Sequence, residues 1–265
     1  MTETNINHSQ IDEDILIQRI ALNDREAFEC LYKKCLLGAI LIGICLFIAY
    51  TLQTYGLMYT TPGANAFLTD VYCVLTPFLY WIISKKAPDK YNIIASVICL
   101  VGIGLVSLDG DLTMNIGDIL TLLCSIFFGL HLVFVYIFGK DSDPIVMTIL
   151  QFLVAGLLSI PCAVVLETPP VFTADSILQM GYLVVLATAG AMLFQNFGQK
   201  FTPPSQAAVL LSLESVLGVV FSIIFYGERP DLMAYAGFVL IFVAITISET
   251  KLSFLKKRRK AHSTK

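Results

Sequence analysis

Charge is what this chain has least of: Asp, Glu, Lys and Arg make up 14% of its 265 residues, against about 25% in a soluble globular domain. A solvated surface of ordinary size is therefore excluded. The seven cysteines are odd in number and form no CxxC pair, so neither a disulfide framework nor a zinc site is expected. Cys30 and Cys35 precede or border the first apolar run, while Cys45, Cys73, Cys99, Cys124 and Cys162 lie inside such runs and read as small packing residues. No HExxH or GxSxG sequence is present, which leaves hydrolase chemistry without its parts. No enzyme, resident metal or bound cofactor is expected.

What the chain has instead is apolar length, with 57% hydrophobic residues and a mean hydropathy of +0.78. About 20 apolar residues at 1.5 Å each cross a hydrocarbon core. Eight segments reach or approach that length: 36–58, 64–84, 91–108, 117–138, 144–166, 176–198, 205–226 and 232–248. The short-period alternation of membrane strands is absent, so the fold class is all-α, a polytopic membrane protein of eight transmembrane helices.

Basic residues give this topology a direction. With the N-terminus in the cytoplasm, Arg19, Arg25, Lys33, Lys34, Lys85, Lys86, Lys90, Lys140, Lys200 and the basic tail from Lys251 all fall inside, and only Arg229 falls outside. Cytoplasmic loops carry such an excess, which implies an inner-membrane protein with both termini cytoplasmic. The KKRRK tail from Lys256 to Lys260 follows the last span directly and reads as a contact for anionic lipid.

The chain also repeats. LQTYGLMYTTPGANAFL around Gln53 returns as FQNFGQKFTPPSQAAVL around Gln195, at a constant offset of 142 positions. Gly56 falls on Gly198, Thr60 on Thr202, Pro62 on Pro204 and Ala66 on Ala208. Matched spans lie five apart and so cross in opposite directions, the sign of an inverted repeat with its substrate site between the halves. The expected units are a cytoplasmic segment (1–35), a three-helix first repeat (36–110), a five-helix second repeat (117–250) and the tail (251–265). Together they form an incomplete inverted five-plus-five arrangement.

The segments GLMYTTPGANAFLTDVYCVLTPFLYWIISKKAP, GDILTLLCSIFFGLHLVFVYIFG and FQNFGQKFTPPSQAAVLLSLESVLGVVFSIIFYGERP resemble the EamA-type transporters of the drug/metabolite transporter superfamily. The resemblance implies ten helices in two inverted halves and movement of small metabolites, amino acids among them, through a central cavity. Against that pattern the first two helices are absent, and Ser215 stands where proline is usual after the residue matching Glu214. In their place, IDEDILIQRIALNDREAFECLYKK resembles the opening helices of an extracytoplasmic-function sigma factor. Ile15, Leu16, Ile20, Phe28, Leu31 and Tyr32 recur there at helical spacing, and Asp24 is placed to cap a second short helix. The expected form is a cytoplasmic amphipathic hairpin; nucleic acid and RNA polymerase are not expected partners.

Polar groups within the spans are the candidates for a substrate path. A charge at mid-membrane costs at least ~2.5–3.5 kcal/mol on insertion scales, so Asp70 and Glu214 must face a cavity, find partners or stay protonated. A protonatable carboxylate beside a path would couple transport to protons; the alternative is a carboxyl hydrogen-bonded between helices. Gln53, Asn65, Tyr72, Gln151, Gln195 and Asn196 line the path or bond across helices, and His131 is a helix-bonding residue or a proton relay. Gln53 and Gln195 stand out because both repeats keep an amide there. Pro62, Pro203 and Pro204 set the entry into spans two and seven, and Pro77 and Pro161 are expected to bend their helices.

The reading that follows is a transporter of a small organic metabolite, amino acid or drug-like, working by alternating access with possible proton coupling. The alternative is a transport-inactive remnant or interaction protein left by gene fusion. Besides substrate and lipid bilayer, the expected partner is a second copy, since eight helices would leave Gln53 facing lipid unless a homodimer covered it.

Overall fold

The computed structural model describes residues 25–60, 62–107, 115–140, 142–166, 172–214, 217, 224 and 232–250. The sigma-like stretch through Asp24, the turn at Asp109, Ser215, Arg229 and the tail from Lys251 lie outside the described residues. Helix α1 spans Arg25–Leu57, α2 Pro62–Asp70, α3 Tyr72–Ser84, α4 Lys90–Ser107, α5 Ile116–Gly139 and α6 Pro144–Leu166. Then come α7 Ala174–Tyr182, a π-helical stretch Leu183–Gly190, α8 Ala191–Gln199, α9 Pro204–Leu211 and α10 Leu232–Thr250. Among the described residues there is no strand. By length and composition Cys35–Leu57, Ile116–Gly139, Pro144–Leu166 and Ala174–Gln199 suffice to cross a membrane, and Leu68–Ser84, Lys90–Leu105 and Tyr235–Ser248 are shorter apolar helices. The chain is an all-α polytopic membrane protein.

Three elements differ from the sequence expectation. The first span is continuous with the preceding charged stretch in one helix of 33 residues, about 50 Å long at 1.5 Å per residue. No proline interrupts residues 25–57, and Glu, Ala, Lys and Leu are all good helix formers, so nothing separates a cytoplasmic hairpin from the span at residue 35. The second span is interrupted at Val71, six residues before Pro77, which sits inside α3. At the interruption the Val74 N–H donates to the Val71 carbonyl at 3.0 Å, a tightened turn rather than a reversal. The sixth span contains the wide-turned stretch Leu183–Gly190.

Helix α1 packs along α5 and α6, α4 along α10, and α3 lies among α4, α5 and α9. Small residues set the closest approaches. A Cβ on Gly102 would meet the Gly237 carbonyl oxygen at 2.9 Å, bringing α4 and α10 nearly to backbone contact. By the offset of 142, Gly102 corresponds to Ala244, and Gly237 to Ala95. Ala95 and Ala244 are buried in the same apolar cluster, with Tyr72, Cys73, Cys99, Ala208, Val209 and Ile241. Equivalent positions of the two repeats thus gather at one seam, as a two-fold relation between them requires.

Polar contacts sort the helix ends. At one end Thr60 Oγ1 donates to Asp118 Oδ1, beside the capping box that Asn115 and Asp118 form at the start of α5. At the other, Lys200 Nζ donates to the Ser142 carbonyl at 3.1 Å, Cys35 Sγ lies 3.3 Å from Ser142 Oγ, and Tyr80 meets Tyr136 edge to face. Gln206 Nε2 donates to the Ser248 carbonyl, and Ser248 Oγ to Asn92 Oδ1. Residues 35, 80, 92, 136, 142, 200, 206 and 248 therefore share one end, as an alternating crossing of successive spans demands.

Candidate functional site

The nine polar candidates fall into two groups. The first lies where α1, α2 and α5 meet. Asn65 Nδ2 donates to Thr121 Oγ1 at 2.9 Å and lies 3.3 Å from the Gln53 carbonyl, while Gln53 Nε2 donates to Thr69 Oγ1 at 3.2 Å. Gln53 is half-buried and partnered. The expectation that it faces lipid unless a second copy covers it is not met, because α2 folds back beside α1 and supplies Thr69.

Asp70, buried at the end of α2, and Tyr72, buried at the start of α3, flank the interruption at Val71. The counterpart of Asp70 in the second repeat is Ser212, at the turn that ends α9. Both repeats thus interrupt the same helix within one residue of the same position, and both short helices, α2 and α9, open with proline. Glu214 follows two residues later and is exposed. It lies within electrostatic reach of the Tyr50 and Tyr72 hydroxyls, and Asp70 within reach of Tyr72, Cys73 and Cys99. Cys73 Sγ donates to the Ser96 carbonyl and Ser212 Oγ to the Ala208 carbonyl, with Cys99 in the same cluster as Cys73. Asp70, Tyr72 and Glu214 therefore belong to one neighbourhood at the seam between the repeats.

The second group lies between α5, α6 and α8. His131 Nε2 and Gln151 Oε1 are 3.3 Å apart, Asn196 Nδ2 donates to Thr148 Oγ1 at 2.8 Å, and Gln199 Nε2 donates to the Leu132 carbonyl at 3.1 Å. Among the described residues Gln195 bonds one turn along its own helix, to Gln199 Oε1 at 3.3 Å. The repeat-related amides Gln53 and Gln195 consequently do different things. Their partners diverged: Asn65 and Thr69 correspond to Ala207 and Leu211.

Thr69, Thr121, Thr148, Gln199 and Ser212 complete both groups and were not singled out from the sequence. A weak signal existed for two of them, since Gln199 follows Gln195 by four positions and Thr148 precedes Gln151 by three, the spacings of neighbours on one helix face. Among the described residues no group of three or more His, Cys, Asp or Glu is arranged to hold a metal ion.

The model of the EamA-like transporter family matches residues 15–108 and again 115–250. The chain belongs to this family. Its first matched copy begins inside the stretch that resembles a sigma factor and covers the long helix α1. A protein of Archaeoglobus fulgidus named uncharacterized transporter is 36% identical over 206 residues, 78% of this chain and 66% of that relative. The chain thus spans slightly under two thirds of the relative's length. A crystal structure described only as that of a protein superposes with a TM-score of 0.68 at 14% identity, over 82% of this chain and 88% of the other. At that identity the likeness concerns the fold alone. For an EamA-like chain, the two copies of the family model part between residues 108 and 115, and the first begins at residue 15, ahead of the first apolar span.

Proposed function

We propose that this chain moves a small organic metabolite, amino acid or drug-like, across the inner membrane by alternating access, exchanging it for protons at Asp70 and Glu214. The observation that carries the reading is the pair of matched interruptions, at Val71 and Ser212, with both carboxylates beside them. Helices α2 and α9 approach this level from opposite ends of the bundle, and each ends there. Two carboxylates beside two interruptions make a site that favours a cation, and interrupted helices at repeat seams are where transporters hold substrates and coupling ions. Tyr50 and Tyr72 supply hydroxyls that a protonated or an ionised carboxyl can engage.

The basic residues Lys85, Lys86, Lys90, Lys140 and Lys200 cluster at the end marked by Ser142, which this reading assigns to the cytoplasm along with both termini. The test is direct. Proteoliposomes loaded with pyranine and containing the purified chain are challenged with single amino acids and small organic cations. Proton movement that depends on one of these solutes is expected; a folded chain that moves protons with none of them overturns the reading.

A further inference from the structure

Two polar atoms stand apart in the second group: Gln151 Nε2 and Asn196 Oδ1 are buried and have no hydrogen-bond partner. Their residues are 0% and 3% exposed, and His131 beside them is 1% exposed. A buried amide group left without a partner is costly, so such atoms are few in native structures.

The neighbours fix which end of the Asn196 amide is free. Thr148 Oγ1 donates its proton to the Pro144 carbonyl at 2.6 Å, so it only accepts from Asn196, whose NH2 must face it. The Asn196 carbonyl is left over. With His131 as the Nε2–H tautomer, its imidazole donates to the Gln151 carbonyl oxygen, which leaves the NH2 over. Thr148 and Gln151 are one turn apart on α6, so the two unused groups lie within the same cluster. One donates and the other accepts. No Asp, Glu, Lys or Arg side chain takes part in the bonds of this cluster.

We propose that Gln151 and Asn196 form a subsite for a neutral group that both donates and accepts, a primary amide or a hydroxyl, carried by the transported solute. The proposal rests on the transport reading for its purpose, but it names a feature of the solute that the carboxylates at the helix interruptions do not. An ionised group is excluded because no counter-charge faces it in this buried place. The subsite is occluded, so entry requires α8 to move against α6. The π-helical stretch Leu183–Gly190 directly precedes α8 and is nowhere buried, and such wide turns commonly sit beside functional sites.

Four fluorinated probes test it by 19F line broadening on the full chain in lipid nanodiscs: 4-fluorobenzamide, 4-fluoro-N,N-dimethylbenzamide, 4-fluorobenzoate and 4-fluorobenzylamine. The primary amide is expected to bind, and the dimethyl amide, benzoate and amine each about tenfold more weakly, because each leaves one of the two buried groups unmatched. Gln151→Leu and Asn196→Leu should each abolish the preference while retaining the helical circular dichroism of the parent. Should the Gln151 variant fail to fold, Gln151→Glu, close in shape but without the free NH2, replaces it and should lose the preference likewise. Absence of primary-amide binding to the parent, equal binding of all four probes, or a preference unchanged in the variants overturns the proposal. Solute-driven proton movement in proteoliposomes alongside any of these would leave the transport reading standing without the subsite.

Discussion

Gly56 and Gly117 meet backbone to backbone, so that a Cβ on Gly117 would fall 2.5 Å from the Gly56 carbonyl oxygen and 2.9 Å from the Thr60 nitrogen. The closeness is what lets α2 reach α5: Thr60 then bonds Asp118, and Asn65 bonds Thr121. Apolar burial does little to hold helices together in lipid, where close packing and interhelical hydrogen bonds dominate.

Gly117→Ala should therefore destabilise the fold by about 1–3 kcal/mol, the usual range for overpacking, because the atoms it strikes are backbone and have nowhere to yield. Gly156→Ala is the control, since a Cβ there meets nothing within 4 Å. Thermal unfolding of the two purified variants in one detergent should show a lowered midpoint only for the first.

Thr121→Val removes the main partner of the Asn65 amide while preserving shape. The Thr121 hydroxyl accepts from Asn65 and donates to the Gly117 carbonyl at 2.8 Å, so two bonds go at once. Interhelical bonds in membranes average about 0.6 kcal/mol and reach about 1.7. The expected loss is within that span, and combining it with Asn65→Leu should cost little more than the larger single change. Full additivity in this double-mutant cycle would mean that the two side chains do not interact.

The spans were legible because membrane crossing imposes a length, and the repeat was legible because glycines and prolines survived in register. The interruption at Val71 was not: VYCVLTP holds no glycine or charge, and the one recognisable breaker, Pro77, lies in the interior of α3. LVVLATAG likewise gives no sign of π geometry. At the site, composition picked the polar residues but not their pairing. Gln53 and Gln195 looked equivalent, yet pairing depends on the positions opposite them, where Asn65 and Thr69 correspond to Ala207 and Leu211. Side-chain partners from other helices are invisible along one chain.

The orientation prediction uses ends the fold has sorted. Ala87, between α3 and α4, is exposed at the end shared by Lys140 and Ser142, and Phe172, before α7, is exposed at the opposite end. In a background without the seven native cysteines, Phe172→Cys should react with a membrane-impermeant maleimide in intact cells. Ala87→Cys should react only after permeabilisation. The reverse pattern would place the basic end outside and contradict the proposed topology.

The last prediction separates the two carboxylates. Asp70 is buried at the end of α2, whereas Glu214 is exposed, so only Asp70 is committed to the closed interior. An amide keeps hydrogen-bonding capacity but holds no exchangeable charge. Asp70→Asn and Glu214→Gln should both insert and fold, and both should lose solute-driven proton movement in pyranine-loaded vesicles. Exchange of labelled for unlabelled solute across the membrane needs no net proton transfer, and it should persist in at least the Glu214 variant. Binding without proton coupling is then the signature of a carboxylate that carries the proton. If Glu214→Gln stops solute exchange as well, the residue holds the solute and the coupling falls to Asp70 alone; undiminished proton movement in both variants would leave the two carboxyls as packing groups at a seam between repeats.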